Sequence, residues 1–237
     1  MLEKEEPTKT FSYPYQSVMA QEFAIHPEKF EVFVSAKFSI QGVIDERKGD
    51  FLEIAGPSDL GYYFLEEVSL SKPVTISNID PQKIRSKDPN YAQYQEYADE
   101  VESKIDKIVD GTSIQQADNS FGMVLSSHLT TYPEYNLQGR NEDVALKLAT
   151  SAPRRAVEQG HISEDILSDS LRLKIASEVY RTLEPSGLYM TDLTQDELKA
   201  IQLLGFQLKA SVSKFEENEV PYYYVVLQKP VSSSMVQ

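Results

Sequence analysis

Three acids and one small-residue turn are the parts of this sequence best suited to chemistry. Glu53, Asp80 and Asp110 each stand at or just beyond the end of a short apolar run, and the first is followed by Ala55-Gly56-Pro57. One acid at such a place is ordinary loop polarity. Three in succession, beginning beside a glycine turn, suit a ligand with several hydroxyl or amino donors and little phosphate. A nucleoside fits that description. A pyrophosphate fits badly, because the carboxylates would repel it and no nearby Lys or Arg offsets them. The chain also has no Gly-x-x-x-x-Gly-Lys-Ser/Thr loop, so ATP and NAD are disfavoured as ligands. A fourth apolar run, 121–125, ends in Ser126-Ser127-His128. His128 is the side chain best placed there to exchange a proton near neutral pH.

Composition removes other classes of function. The 237 residues include no cysteine, which excludes disulfides and thiolate metal centres. The three histidines (His26, His128 and His161) do not stand at metal-ligand spacing, so no metal site is expected. A net charge of −14 repels phosphate backbones and anionic lipid, which argues against nucleic-acid and membrane partners. The polar start, Met1-Leu2-Glu3-Lys4-Glu5-Glu6, has no apolar run behind it, and no stretch approaches the ~20 apolar residues of a membrane span. A cytoplasmic protein is the expectation, with its oligomeric state left open.

The acids can act together only if a scaffold gathers the ends of their strands. Residues 1–15, with Phe11, Tyr13 and Tyr15, read as an arm. Phe30, Phe33, Val34, Ile40 and Ile44 recur near helical spacing behind Pro27, which predicts a helix over 27–46. A strand at 51–55, the turn at Gly56, a helix over 60–70 and a β-branched strand at 73–79 would form a βαβ unit. Tyr91, Tyr94, Tyr97 and Val101 share one face of a helix and would cover the sheet. Strands at 105–109 and 121–125 follow. Leu171, Ile175, Val179 and Leu183 mark a helix that Ser168 or Asp169 could cap and that Pro185 and Gly187 would stop. A strand at 188–193 and a helix at 196–204, ended by Gly205, lead into strands at 206–212 and 221–227. The short link between those last two demands an antiparallel pair.

With these pieces in order, the sequence resembles the class I S-adenosylmethionine-dependent methyltransferases over about 50–229. Leu52-Glu53-Ile54-Ala55-Gly56-Pro57-Ser58 is similar to the first motif of that family, and Asp110-Gly111-Thr112-Ser113-Ile114 with 118–128 is similar to its third- and fourth-strand region. The run 175–188, Leu203-Leu204-Gly205-Phe206 and 222–229 complete the match. The resemblance implies an α/β, Rossmann-like class I methyltransferase fold: a seven-stranded, mostly parallel sheet with an antiparallel last strand and helices on both faces. Residues 1–46 would be an N-terminal arm and helix forming part of the substrate cover, 47–229 the methyltransferase-like domain, and 230–237 a loose tail.

It also implies roles. Glu53 would hold the amino-acid end of S-adenosylmethionine, with the backbone at Ala55, Gly56 and Pro57 passing beneath it. Asp80 would accept from the ribose hydroxyls, and Asp110 from the adenine amino group, with Gly111 and Thr112 beside it. Ser126 and His128 would lie under the sulfonium and face a small-molecule acceptor, His128 serving as base where the acceptor is a neutral hydroxyl. Substrate contacts are expected from parts outside the core, including Tyr13, Tyr15, Tyr132, Arg154 and Arg155. The two arginines could equally pair with Glu158 or Glu164. One departure stands out. Where the family has acid-x-Gly-x-Gly-x-Gly, this chain has Ala55, Pro57 and Asp59 at the three glycine positions, with Gly56 between. A non-catalytic binding or scaffolding member of the fold is the alternative that this departure leaves open.

Overall fold

A computed structural model of the chain describes residues 10–13, 18–58, 62–78, 102–127, 171–214 and 223–231. Eight strands make one sheet: β1 (Phe30–Val34), β2 (Asp50–Glu53), β3 (Val74–Asn78), β4 (Lys107–Ile108), β5 (Phe121–Ser126), β6 (Leu183–Leu193), β7 (Gln207–Lys214) and β8 (Tyr223–Gln228). Four α-helices are described with them: α1 (Val18–Ile25), α2 (Ile40–Asp45), α3 (Leu171–Thr182) and α4 (Gln195–Leu203). The strand order is β1-β7-β8-β6-β5-β2-β3-β4. Strands β4, β3, β2, β5 and β6 pair in parallel, whereas β8 runs antiparallel to both β6 and β7. Apart from β1, this is the mostly parallel sheet with an antiparallel last strand that the family resemblance implies.

The central strands are largely apolar because both of their faces are covered. On one face Leu52, Val124, Tyr189 and Val225 pack with Leu173, Ala176 and Val179 of α3 and Ala200 and Ile201 of α4. On the other, Phe51, Met123, Leu125, Leu188 and Met190 pack with Ile44 of α2 and with Tyr13, Tyr62, Leu65 and Leu70. Helix α4 starts with a reciprocal capping box: the Thr194 hydroxyl accepts from the Glu197 N–H, and the Thr194 N–H donates to the Glu197 carboxylate at 2.9 Å. The arginine of α3, Arg181, donates to Ile114 O, Gln116 O, Asp118 and Glu178, tying the segment before β5 to the helix. Its ion pairs push its pKa further up, so the anchor stays charged at every working pH.

The structure corrects the N-terminal elements. The expected helix over 27–46 is instead a 3-10 turn at Pro27–Lys29, strand β1 and the short helix α2. Phe30, Val32, Phe33 and Val34 are β-formers, and they find an antiparallel partner in β7, with Val32 opposite Val212. The sheet therefore has eight strands rather than seven, and a third antiparallel pairing at its edge. The expected helix over 60–70 is, among the described residues, a 3-10 turn at Tyr63–Leu65. Leu70 pairs instead as an isolated antiparallel bridge with Phe11 of the N-terminal strap. Strand β6 begins at Leu183, five residues before the expected 188, and carries Pro185 and Gly187 within it. The expected helix at 91–101 and the caps Ser168 and Asp169 lie outside the described residues. Among the described residues, no helix is long and apolar enough to cross a membrane.

Candidate functional site

Chain order sets the location. From β2 the chain proceeds outward to β3 and β4, then returns to place β5 on the other side of β2. The order therefore reverses between β2 and β5, and in such sheets a crevice opens outside the carboxyl ends of the two strands at the reversal. Glu53 ends β2 and Ser126 ends β5, with Glu53 in register with Leu125.

Glu53 is fully buried, and its two carboxyl oxygens are treated very differently. Oε1 accepts three hydrogen bonds: from Tyr13 Oη at 2.8 Å, from the Ser58 N–H at 2.9 Å and from Tyr62 Oη at 3.0 Å. Oε2 is buried and has no partner among the described residues. Burial pushes the carboxyl up to about 7, and the donations from Tyr13, Ser58 and Tyr62 act in the opposite sense. The Tyr62 hydroxyl is itself driven well above its ordinary range, first by burial and then by the charge of Glu53, so it remains a neutral donor.

The turn after β2 is shaped around this carboxyl. Ala55 takes φ 59, the left-handed conformation usually left to glycine. A Cβ on Gly56 would lie 2.4 Å from Glu53 Cδ and 2.6 Å from Oε2. Gly56 is thus glycine because the Glu53 side chain folds back over it. Its backbone is held by β3: the Gly56 N–H donates to Ser77 O at 2.8 Å, and Asn78 Nδ2 donates to Gly56 O at 2.9 Å. The Ser77 hydroxyl also donates to Glu53 O.

At the end of β4, Asp110 Oδ1 accepts from both the Thr112 N–H at 2.9 Å and the Thr112 hydroxyl at 2.6 Å, which makes a tight turn. Gly111 is buried inside that turn. A Cβ there would stand 2.6 Å from Ile54 Cγ2, so core packing alone demands a glycine. Ser126 is buried with its hydroxyl 2.7 Å from Tyr189 Oη and donating to Thr191 Oγ1 at 3.2 Å. The next residue, Ser127, is also buried, and its hydroxyl has no partner among the described residues. The same is true of the Ser58 hydroxyl on the β2 side.

Of the residues expected to form the site, Glu53, Ala55, Gly56, Pro57, Asp110, Gly111, Thr112 and Ser126 lie at these strand ends, and Tyr13 lies against Glu53. Asp80, His128, Tyr15, Tyr132, Arg154 and Arg155 lie outside the described residues. Sequence reasoning passed over Tyr62, Ser58, Ser127 and Asp192. Asp192, near the end of β6, is buried and paired with Arg172 of α3 at 3.3 Å, while Arg172 also reaches Glu197 at 3.4 Å. The rule that singled out Glu53, Asp80 and Asp110, an acid at a strand end, applies to Asp192 as well. Tyr62 and Ser58 carried no such signal.

Fold and site together define a doubly wound α/β protein with a Rossmann-like, mostly parallel sheet and a buried acid at the point where strand order reverses. Among solved structures, the chain is similar to a TehB-like S-adenosylmethionine-dependent methyltransferase from Corynebacterium glutamicum, at 16% identity over 89% of this chain and 96% of that one, with a TM-score of 0.38. It is similar also to a methyltransferase from Pyrococcus furiosus (13% identity, 90% and 96% of the two chains, TM-score 0.39). A third is the N-methyltransferase NodS from Bradyrhizobium japonicum (10% identity, 77% and 86%, TM-score 0.39). No protein-family model and no curated protein matches the chain.

Proposed function

We propose that this protein binds S-adenosylmethionine at the carboxyl ends of β2, β3 and β5 and transfers its methyl group to a small-molecule acceptor. One observation carries the proposal. Three buried polar atoms without partners, Glu53 Oε2, Ser58 Oγ and Ser127 Oγ, belong to residues at or just past the ends of the two strands that flank the order reversal. Buried polar groups are almost always paired, and each one left unpaired costs about 1–3 kcal/mol. A ligand with amino and hydroxyl donors would pair them. A phosphorylated ligand suits them less, because an ionised Glu53 repels phosphate.

The residues present fit such a ligand. Glu53 Oε2 is an open acceptor for an ammonium group, and a cation there would favour the ionised carboxylate over the neutral acid. Asp110 holds its turn through Oδ1, which fixes the direction of its second oxygen. When bound, S-adenosylmethionine supplies an electrophilic methyl group, and the protein contributes position and electrostatics. His128, two residues past the end of β5, is the proposed proton acceptor for a hydroxyl substrate.

A second reading, a non-catalytic member of the fold, is favoured by the way Glu53 packs against Gly56, with a carboxyl that is only half ionised near pH 7. A thermal-shift titration separates the two. S-adenosylmethionine or S-adenosylhomocysteine at 100 times its dissociation constant should stabilise the protein by about 2.7 kcal/mol. Asp80→Ala should remove that shift without altering the melting of the free protein. No shift with either ligand would overturn the cofactor proposal.

A further inference from the structure

The strap formed by residues 10–13 is fastened to the body at two places that differ in kind. Phe11 exchanges a pair of backbone hydrogen bonds with Leu70, at 2.9 and 2.6 Å. Two residues on, Tyr13 is buried with its ring edge-on to Tyr62 at 5.0 Å, and its hydroxyl donates to Glu53 Oε1. Three donors thus converge on one oxygen of Glu53 while the other has none. Burying the carboxyl would be served equally well by sharing the donors between both oxygens. Placing all three on Oε1 fixes the plane of the group and keeps Oε2 available.

We propose that Tyr13 is a positioning residue for Glu53: its hydroxyl holds the carboxylate with Oε2 presented to the ligand, and so couples docking of the N-terminal strap to ligand capture. Tyr13 acts through Glu53. A hydrogen bond to an ionised carboxylate is about twice as strong as one to a neutral acid. A donor arriving at Oε2 that favours the ionised form therefore tightens the Tyr13 bond and seats the strap, and by reciprocity a seated strap favours the ligand. Among the described residues, the groups facing Glu53 are Tyr13 from the strap, and Tyr62 and the Ser58 N–H from the segment after β2. Beyond Tyr62 lies Asp192 of β6, which acts on it electrostatically and is paired with Arg172 of α3.

Only the identity of the ligand rests on the function proposed above; the link between strap and carboxyl can be tested without any ligand. The full-length Tyr13→Phe variant keeps the ring and removes the hydroxyl. Titration of Glu53, followed by carbon NMR of labelled glutamate and assigned with Glu53→Gln, should show its midpoint rise by roughly one pH unit. Exchange of the Leu70 amide, which donates to Phe11 O, should accelerate by about tenfold or more. With S-adenosylhomocysteine as probe, the pH at which affinity is half-maximal should move up by the same interval as the Glu53 midpoint. A tyrosine that merely packs would instead weaken binding by one factor at every pH. Tyr62→Phe should raise the Glu53 midpoint yet accelerate Leu70 exchange far less than Tyr13→Phe does, because the Tyr13 hydroxyl still holds the strap.

An unmoved Glu53 midpoint in Tyr13→Phe would overturn the proposal, as would equal loosening of the strap in Tyr62→Phe. If wild-type protein binds no S-adenosylhomocysteine at any pH, the cofactor reading fails, and titration and exchange still decide the role of Tyr13.

Discussion

Replacing Glu53 by glutamine should change how the stability of the free protein depends on pH. A carboxyl that ionises near 4.5 in the unfolded chain and at about 7 when folded binds more protons in the native state between those values. Stability then falls as pH rises through that window, the reverse of the usual salt-bridged acid. The shift of 7 − 4.5 = 2.5 units, at 1.36 kcal/mol per unit, amounts to about 3 kcal/mol, most of which is lost between pH 5 and pH 8.5. The group is fully buried, so solvent screening does not reduce this figure much. Glutamine mimics the protonated acid. Its amide oxygen can accept from Tyr13, Ser58 and Tyr62, and its NH2 stands where the Oε2 hydroxyl would. Every other titrating group is common to both proteins and cancels in their difference. For a chain of this length each kcal/mol moves the melting temperature by about 2–4 °C. Glu53→Gln should therefore gain about 5–10 °C on wild type as pH is raised from 5 to 8.5. Melting both proteins at several pH values in that range reads the difference directly. A gap that stays constant across the window would refute the perturbed carboxyl, and with it the claim that burial dominates over the three donors.

Two further substitutions test the turn. Gly56→Ala should destabilise by roughly 1–3 kcal/mol, because the added methyl meets the Glu53 carboxyl, and most of that cost should vanish in a Glu53→Ala background. Denaturant unfolding of the four proteins in that cycle gives the coupling, and simple additivity would mean the clash lies elsewhere. Ala55→Gly should be neutral or stabilising by up to about 1 kcal/mol, since relief of the left-handed conformation offsets the greater freedom of glycine in the unfolded chain. A clear loss of stability in that variant would contradict the assigned backbone.

Much of the architecture is legible in the sequence because each element carries its own local instructions. Phe121–Ser126 is uniformly apolar up to its serine end, as a strand buried on both faces must be. Leu171–Thr182 shows a clean helical spacing, and the helix expected at 196–204 stands at Gln195–Leu203. The link after β7 is too short for a crossover helix, and β7 and β8 are indeed antiparallel. Where local instructions were ambiguous, distant partners decided. Phe30, Val32 and Val34 fit either a helical face or an alternating strand, and pairing with Ala210–Lys214, some 180 residues away, settles them as strand. The stretch 62–70 has the apolar content of a helix, but Leu70 is claimed by Phe11 and the side chains of Tyr62 and Leu65 fill the core beside Met123 and Leu125.

The same division holds at the site. An acid at the end of the first central strand, followed by a glycine, is a sequence feature, and it located Glu53 and Gly56. That Gly56 is required by the Glu53 carboxyl, that Tyr13 and Tyr62 share one of its oxygens, and that the other is left open depend on side chains 40 and 9 residues away. Sequence periodicity reports which face of an element is apolar. It cannot report which hydroxyl reaches which carboxyl oxygen, because that depends on the packing of the strap, the turn and the sheet against one another. The charge state of Glu53, and so what the site can bind, was decided only there.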